Sequence, residues 1–298
     1  MTIVYLNGQF IQEEKATISI LDRGFLFGDG VYEAIPVYQG HLFGLQQHLN
    51  RLEISLAAIK IPSPLPSEEW EDILHELLVL NQTQHADQGL YLQITRGFQP
   101  VRNHAFPDMI SPTVLAMCIP PKNTPLEVLH AGFSAITVED KRRKECFIKA
   151  TSLLPNILAY QEAHKSHHAE AIFIRNGEAL EGTSSNLFIV KNGIIYTPPT
   201  TPFILAGVTR ELLLQLAKEN KVPYEEKSIT ENMLFNADEI WLTGSLKEIY
   251  PIVHLNNKPV GNNKVGPMWF TMKALYEKLK ASGKSANIRK TQQPENRV

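Results

Sequence analysis

Apolar and polar residues alternate along most of positions 2–44, and such alternation is typical of strands with one buried face. Asn7-Gly8 indicates a two-residue hairpin turn in this region, and Gln39-Gly40 indicates another turn. Apolar residues then recur at every third or fourth position, which predicts one amphipathic helix. The residues of this stripe are Leu45, Leu49, Leu52, Leu56 and Ile59.

A proline-rich break at positions 62–66 separates this helix from a second one, which the pattern predicts at about 67–81. Two further apolar runs, near 90–96 and 113–119, predict the remaining strands of this half. Three prolines in the segment 120–125 then indicate a linker, because proline can join neither a sheet ladder nor a helix interior. The residues up to position 119 are therefore expected to form a small N-terminal α/β domain.

Residues 126–280 are expected to form a larger second domain. Asn176-Gly177 and Asn192-Gly193 are hairpin signals within it, and they predict antiparallel strands. Helical periodicity occurs in three segments, near 154–166, 208–220 and 264–280. The residues 281–298 are polar and basic, which predicts a solvated tail. A ligand cleft is expected between the two domains, where such sites are common.

Composition places the chain among ordinary globular proteins. At 298 residues it has the length for about two domains, and 43% of its residues are hydrophobic. A net charge of −2 argues against nucleic-acid binding, and no apolar run is long enough to cross a membrane. The N-terminus shows neither a basic region nor an apolar signal core. Cys118 and Cys146 lack metal or redox spacing, so reduced thiols and a cytoplasmic location are expected.

Three separated features together supply the groups that a pyridoxal phosphate (PLP) enzyme needs. Lys149 offers an amine for a Schiff base with the cofactor, and Glu181 offers a carboxylate that keeps the pyridine nitrogen protonated. Gly207 leads into a predicted helix, where free backbone N–H groups attract a phosphate. Each feature also has an ordinary interpretation: a strand-end lysine in water, a Ser/Asn-rich turn and a common helix start.

The order and the surroundings of these features resemble the fold-type IV PLP enzymes, which include D-amino acid aminotransferases, branched-chain aminotransferases and aminodeoxychorismate lyases. The likeness covers about residues 3–280 and is greatest to the bacterial D-alanine aminotransferases. The matching segments are Asp22–Glu33, His48–Leu52, Ile148-Lys149, Glu181–Phe188 and Gly207–Arg210. The resemblance implies the two-domain α/β (α+β) fold of that family, a barrel-like sheet in the larger domain, PLP as the cofactor and no metal.

The same resemblance implies a role for each residue of a site. Lys149 would be the catalytic residue, and Arg51, with His48 behind it, would bind the cofactor phosphate. The other residues expected to contact the cofactor are Glu181, Ser185, Asn186, Val208, Thr209 and Ser245. Tyr32 would bind the substrate carboxylate from a strand, although a half-buried strand tyrosine is the ordinary interpretation.

Arg102-Asn103-His104 lies in a loop closed by Phe106-Pro107. An arginine fork binds a carboxylate through two hydrogen bonds, and a nearby imidazole can add a third. Without the resemblance, an exposed basic loop is the simpler interpretation. With it, Arg102 and His104 are expected to hold the substrate α-carboxylate, as in D-amino acid aminotransferases. Because that loop comes from the neighbouring subunit in those enzymes, a homodimer is expected.

The predicted reaction is transamination between D-alanine and 2-oxoglutarate, giving pyruvate and D-glutamate. Branched-chain L-amino acid aminotransferase, aminodeoxychorismate lyase and a non-catalytic PLP carrier stay open as alternatives, although a carrier needs no carboxylate trap. The basic run Arg142-Arg143-Lys144, shortly before Lys149, is interpreted as a solvated turn rather than as a bias toward acidic substrates.

Overall fold

The described strands form two β-sheets, one in each half of the chain. The computed structural model describes residues 2–83, 87–120 and 124–282. Residues 121–123 of the predicted linker and 283–298 of the predicted tail lie outside the described residues. The domain bounds therefore stay predictions, while the division of the strands into two sheets is observed.

The first sheet is antiparallel throughout. Its strands are β1 (Ile3–Leu6), β2 (Gln9–Gln12), β3 (Gly30–Tyr38), β4 (His41–Leu42), β5 (Gln88–Thr95) and β6 (Thr113–Ile119). Their order in space is β2-β1-β6-β5-β3-β4, and β3 pairs with β5 from Gly30 to Val37. The helices of this half are α1 (Arg23–Phe27), α2 (Leu45–Ala58), α3 (Ser67–Leu80) and a short 3-10 helix (Glu13–Lys15).

The apolar stripe predicted in the sequence is the face of α2 that packs into the core beneath this sheet. Leu49, Leu52 and Leu56 of α2 are almost fully buried, and so are Trp70 and Leu74 of α3. Burying one such leucine side chain stabilises a fold by about 1.5–3 kcal/mol. Burial of the stripe fixes the rotation of α2, and it thereby decides which polar side chains of this helix reach the other half of the molecule.

Helix α1 interrupts the strand pattern predicted across residues 2–44. Asp22 caps its first turn by accepting a hydrogen bond from the N–H of Gly24 at 2.7 Å. Gly28 ends the helix in a left-handed conformation, with φ 65°. These two cap residues favour a short helix here, although the alternating pattern predicts a strand. A helix of five residues is too short to show helical periodicity in the sequence.

In the described part of the second half, six strands close into a barrel within a larger sheet. The strands of this sheet are β7 (Phe133–Glu139), β8 (Glu170–Arg175), β9 (Glu178–Gly182), β10 (Asn186–Lys191), β11 (Ile194–Thr197), β12 (Tyr224–Glu226), β13 (Ile229–Thr230), β14 (Glu239–Gly244), β15 (Glu248–Leu255) and β16 (Lys258–Pro259). The closed ring runs β10-β14-β15-β7-β8-β9 and returns to β10. The predicted barrel-like sheet is therefore confirmed.

Three long helices and two short ones accompany these strands in the described structure. They are α4 (Leu126–Ala131), α5 (Leu154–Lys165), α6 (Val208–Glu219), α7 (Glu231–Phe235) and α8 (Pro267–Ala281). Sequence periodicity predicts the three long helices α5, α6 and α8, but it misses the two short ones. Within the residues that the structure describes, no helix has the length and apolar character needed to cross a membrane.

Four turn dipeptides identified in the sequence have positive φ at both residues, as a type I′ hairpin turn requires. They are Asn7-Gly8, Gln39-Gly40, Asn176-Gly177 and Asn192-Gly193. Each joins two paired antiparallel strands, so the predicted turns are confirmed. Asn256-Asn257 forms another turn of this kind between β15 and β16, where the sequence lacks the glycine that usually marks one.

Candidate active site

A cleft of about 690 Å³ lies between the two halves of the molecule. Strands β3 and β5 line one side, and the barrel and the start of α6 line the other. The predicted site residues that line it are Tyr32, Arg51, Lys149, Glu181, Ser185, Asn186, Val208, Thr209 and Ser245. Arg102 and His104 do not line it. The volume lies within the range of small-molecule sites.

Lys149 is held beside Tyr32 by a short stretch of strand pairing. The N–H of Tyr32 donates to the carbonyl of Lys149, and the N–H of Thr151 donates to the carbonyl of Gly30, both at 3.0 Å. The N–H of Lys149 donates to the Ser55 hydroxyl at 3.2 Å. Lys149 Nζ lies 4.1 Å from the centroid of the Tyr32 ring, and the Lys149 side chain is half-buried. The amine therefore faces the cleft and not bulk solvent.

Glu181 lies where the barrel closes. It is the last residue but one of β9, and it pairs with Asn186, the first residue of β10. Its Oε2 accepts hydrogen bonds from the N–H of Leu205 at 3.0 Å and from the Asn186 amide at 3.4 Å. Burial raises the pKa of Glu181 to about 7, although Arg142 and the Leu205 N–H act to lower it. The ionisation of this carboxyl is therefore sensitive to any further positive charge in the cleft.

The interpretation of Arg142-Arg143-Lys144 as a solvated turn is wrong for Arg142. Arg143 and Lys144 are exposed, but Arg142 is buried and its guanidinium forms an ion pair with Glu181. Its Nε also pairs with Asp140 at 2.9 Å. The available signal was the spacing of Asp140 and Arg142, because residues two apart in an extended chain lie on the same side.

Arg51 reaches the cleft from α2 and is anchored by Glu33 of β3. Its Nε and Nη2 donate to the two carboxylate oxygens of Glu33 at 2.8 and 2.7 Å, and Nη1 donates to the carbonyl of Ala206 at 3.0 Å. His48 Nδ1 lies 2.7 Å from Glu33 Oε2. Burial acts to raise the pKa of Glu33, but Arg51 and His48 lower it to about 2. Sequence reasoning found Arg51 and His48 but missed Glu33, which follows Tyr32 and so lies on the opposite face of β3.

The start of α6 presents backbone donors to the cleft. Val208 and Thr209 are its first two residues, and the first N–H groups of a helix have no acceptor within the helix. Gly207 precedes them, and a Cβ there would lie 1.9 Å from Asn186 Oδ1, so a side chain at this position would displace the Asn186 amide, which donates to the Leu205 carbonyl. The buried Thr243 hydroxyl, also in the cleft wall, has no hydrogen-bond partner among the described residues. This arrangement suits a bound anion such as a phosphate.

The turn between β9 and β10 is fixed by another buried carboxylate, that of Glu170. Its Oε2 accepts a hydrogen bond from the Ser185 hydroxyl at 3.2 Å, and its Oε1 accepts one from the N–H of Thr183 at 3.3 Å. Lys247 donates to Glu170 at 2.5 Å and to the Ser184 hydroxyl at 2.9 Å. The Ser185 hydroxyl thus supports the turn, and its predicted contact with a cofactor stays a prediction.

Arg102 and His104 lie in an exposed loop outside the cleft of their own chain. The Arg102 guanidinium lies 4.9 Å from the centroid of the Phe27 ring, and the His104 ring packs edge-on against the same ring. Arg23 holds the loop by donating to the carbonyl oxygens of Asn103 at 2.5 Å and His104 at 3.3 Å. A substrate-binding role for these residues therefore requires a second subunit, and it stays a prediction.

Comparison with known proteins identifies the family. The sequence profile of Amino-transferase class IV matches residues 30–255 of the chain. A D-alanine aminotransferase of Bacillus licheniformis is 41% identical over 265 residues, which cover 89% of this chain and 92% of the relative. The chain belongs to the class IV aminotransferases. The resemblance to fold-type IV enzymes seen in the sequence is therefore confirmed.

Solved structures of aminotransferases share the whole fold. The branched-chain amino acid aminotransferase of Escherichia coli superimposes with a TM-score of 0.87 at 24% identity, over 96% of both chains. A hypothetical aminotransferase of Mycobacterium tuberculosis in its PLP-bound form gives a TM-score of 0.80 at 23% identity, over 95% of this chain and 100% of the other. Likeness at this level of identity establishes the fold, and it leaves the choice of substrate to the site.

Class IV aminotransferases depend on PLP, and the residues of the cleft fit this cofactor. Lys149 would supply the amine, and Glu181 would supply the carboxylate for the ring nitrogen, since both line the cleft. Val208 and Thr209 would supply backbone N–H groups for the phosphate. The buried Thr243 hydroxyl, without a partner in the described structure, adds a polar group that a bound ligand can satisfy.

Proposed function

We propose that the protein transfers the amino group of a D-amino acid, D-alanine, to 2-oxoglutarate, giving pyruvate and D-glutamate. The observation that most supports PLP-dependent transfer of an amino group is the cleft itself, in which Lys149, Glu181 and the start of α6 converge from separate parts of the chain. The 41% identical relative from Bacillus licheniformis carries the name D-alanine aminotransferase. The proposal extends that activity to this chain.

Each residue of the cleft has a distinct task in this reaction. When bound, PLP supplies a sink for the electron pair left on the substrate Cα. Lys149 would take up the Cα proton on Nζ, because its half-buried side chain lies in the cleft beside Tyr32, and would deliver it to the cofactor carbon bonded to the substrate nitrogen. Glu181 holds the proton on the ring nitrogen, since a nearby carboxylate stabilises a protonated nitrogen. Because the first product leaves before the second substrate binds, ping-pong kinetics are expected.

Selection of one enantiomer depends on where the substrate carboxylate is anchored. A base on one side of the substrate removes the Cα hydrogen that points toward it, and the anchor decides which enantiomer presents that hydrogen. Tyr32 stands on the cleft side of β3, stacked with Tyr91 at 5.5 Å between ring centroids. We assign its hydroxyl to the substrate carboxylate, together with Arg102 and His104 from a second subunit.

The visible absorption of the PLP-loaded protein tests the proposal. D-alanine should bleach the band of the lysine-bound cofactor, and L-leucine should leave it in place. Bleaching by L-leucine alone would replace the proposal by branched-chain aminotransferase activity. Pyruvate release from aminodeoxychorismate without an amino acceptor would indicate a lyase, and a band that resists every amine would indicate a carrier.

We also propose that the active form is a homodimer in which the loop of each subunit completes the cleft of the other. The donors of Arg102 and His104 lie outside the cleft of their own chain. Large apolar side chains in and near this loop are exposed, with exposed fractions of 70% for Phe25, 69% for Val101 and 88% for Met109. Exposed apolar groups of this size are typical of a surface that another protein covers.

Mixing two impaired variants tests this arrangement. Lys149→Ala removes the base, and Arg102→Leu removes the anchor. If Arg102 acts in the partner's cleft, one cleft of each hybrid dimer holds both wild-type residues, and random mixing should restore about a quarter of wild-type activity. A hybrid dimer without any recovered activity would contradict the proposed exchange of loops.

We further propose a cytoplasmic location. Cys118 and Cys146 are both free thiols in the structure, and reduced cysteines are typical of that compartment. Fractionation of cells that produce the protein, followed by thiol labelling of each fraction, measures the location and the redox state together. Recovery outside the cytoplasm would contradict this proposal.

A further inference from the structure

Arg142 is a buried cation whose role the sequence does not reveal. Its side chain is 5% exposed, whereas that of its neighbour Lys141 is 77% exposed. The guanidinium stacks over the Phe173 ring, 4.1 Å from the ring centroid. A cation this well shielded from water requires compensating partners, and two carboxylates provide them.

Asp140 fixes one edge of the guanidinium. Arg142 Nε and Nη2 donate to the two oxygens of Asp140 at 2.9 and 3.1 Å. The Asp140 carboxylate is fully buried and also accepts a hydrogen bond from Arg175 Nε at 3.1 Å. The carbonyl of Phe203 accepts a further hydrogen bond from Arg142 Nη2 at 3.2 Å. The orientation of the guanidinium is therefore set independently of Glu181.

The remaining nitrogen of the guanidinium, Nη1, donates to Glu181 Oε1. The other oxygen, Oε2, accepts a hydrogen bond from the N–H of Leu205 at 3.0 Å. The carboxylate is thus held between a charged donor and a backbone donor while it still borders the cleft. Such support controls both the direction and the charge of a carboxylate, and a partner for a ring nitrogen needs both.

We propose that Arg142, itself fixed by Asp140, is a positioning residue that directs Glu181 at the ring nitrogen of the cofactor and favours its ionised form. This inference rests on the proposed function, because Arg142 acts through Glu181. Without Arg142, the buried Glu181 would lose its cationic partner and would take up a proton of its own. A protonated carboxyl would then no longer stabilise a proton on the ring nitrogen.

A double-mutant cycle tests the inference with Arg142→Met, Glu181→Gln and the double variant. Arg142→Met alone should lower kcat for D-alanine by about tenfold to a hundredfold, with a smaller change in KM. In the Glu181→Gln background, the same substitution should change kcat by less than about threefold, because its partner is already gone. The matched control is Lys141→Met, which removes a positive charge from the adjacent exposed residue and should leave kcat unchanged.

The same cycle in the cofactor-free protein separates this inference from the proposed function. Denaturant unfolding should show coupling between Arg142 and Glu181 of about tenfold in the unfolding equilibrium constant. Additive effects in kcat or in unfolding would overturn the inference. If Arg142→Met does not fold, Arg142→Lys replaces it in the cycle, since lysine keeps the charge but not the fork. Absence of D-alanine turnover in the wild type would refute the proposed function, and the unfolding cycle would still decide whether Arg142 and Glu181 are linked.

Discussion

Two buried carboxylates lie in opposite halves of the molecule, Glu33 of β3 behind the cleft residue Arg51 and Glu181 of β9 in the cleft wall. Each is paired with an arginine, yet their acidities differ widely. The pKa of Glu33 is about 2, because Arg51 and His48 outweigh the effect of burial. The pKa of Glu181 is about 7, because burial outweighs the effect of Arg142. An arginine partner alone therefore does not fix the charge of a buried carboxylate.

The difference lies in how each arginine is shared. Arg51 directs Nε and Nη2 to the two oxygens of Glu33, which is a bidentate pair. Arg142 directs the same two nitrogens to Asp140 and leaves Nη1 for Glu181. A bidentate partner fixes a carboxylate as an anion, whereas a shared partner leaves it responsive to a further cation. The first state suits a structural support, and the second suits a group that must pair with a protonated ring nitrogen.

Lys149→Ala should produce the largest effect, because it removes the amine that the proposed reaction uses as its base. D-alanine turnover should fall by at least about 10⁴-fold, which is the upper range for loss of a general base. PLP should still bind through its phosphate contacts, so equilibrium dialysis of PLP should show binding while the turnover assay shows none. Turnover close to that of the wild type would remove Lys149 from its role.

Arg51→Met should cost about 3–5 kcal/mol of unfolding free energy, because it leaves the Glu33 carboxylate buried without its bidentate partner. Arg142→Met should cost less unfolding free energy at neutral pH. Glu181 is already partly protonated at that pH, and Asp140 retains its ion pair with Arg175. Denaturant unfolding of the cofactor-free variants measures both losses. Equal losses of unfolding free energy would show that the two ion pairs do not differ in their contribution to stability.

Local signals explain why much of the fold could be predicted from the sequence. The hairpin dipeptides consist of residues that tolerate positive φ, and the apolar stripe of α2 reflects burial of one helix face. Both signals lie within a few consecutive residues of the sequence. Lys149 and Glu181 also belong to short family motifs. The pairing of Arg51 with Glu33 spans 18 residues and that of Arg142 with Glu181 spans 39, and neither separation follows from periodicity. The place of Arg102 relative to a cleft depends on assembly, which the pattern of one chain does not encode.

Glu181→Gln should lower kcat by about a hundredfold or more, a usual loss when one electrostatic partner of the reacting group is removed. The neutral amide keeps the shape of the carboxylate but cannot hold a proton on the ring nitrogen, so PLP affinity should change less than kcat. Glu33→Gln is the matched control, and at saturating PLP it should lower kcat far less. Similar losses of kcat in the two variants would show that the two carboxylates do not differ in function.

The pH dependence of stability should give the smallest effect, and it separates the two carboxylates directly. The pKa of Glu181 lies above its ordinary value of 4.5, so the folded protein binds more protons than the unfolded chain between about pH 4.5 and 7. Through this group, stability is greatest below pH 4.5 and falls as the pH rises through 7. At about 1.4 kcal/mol per pKa unit, the full change is about 3 kcal/mol.

Glu181→Gln removes this titration, so the cofactor-free variant should gain up to about 3 kcal/mol relative to the wild type between pH 5 and 8. The pH dependence that Glu33 contributes has the opposite sign, because its pKa is lowered to about 2 in the fold. Ionised Glu33 stabilises the fold above pH 4.5, and this stabilisation is lost as the pH falls through 2. The difference between Glu33→Gln and the wild type should therefore be flat from pH 5 to 8. Denaturant unfolding at a series of pH values measures both curves. A flat curve for Glu181→Gln as well would mean that Arg142 holds Glu181 fully ionised, and the contrast between the two carboxylates would then disappear.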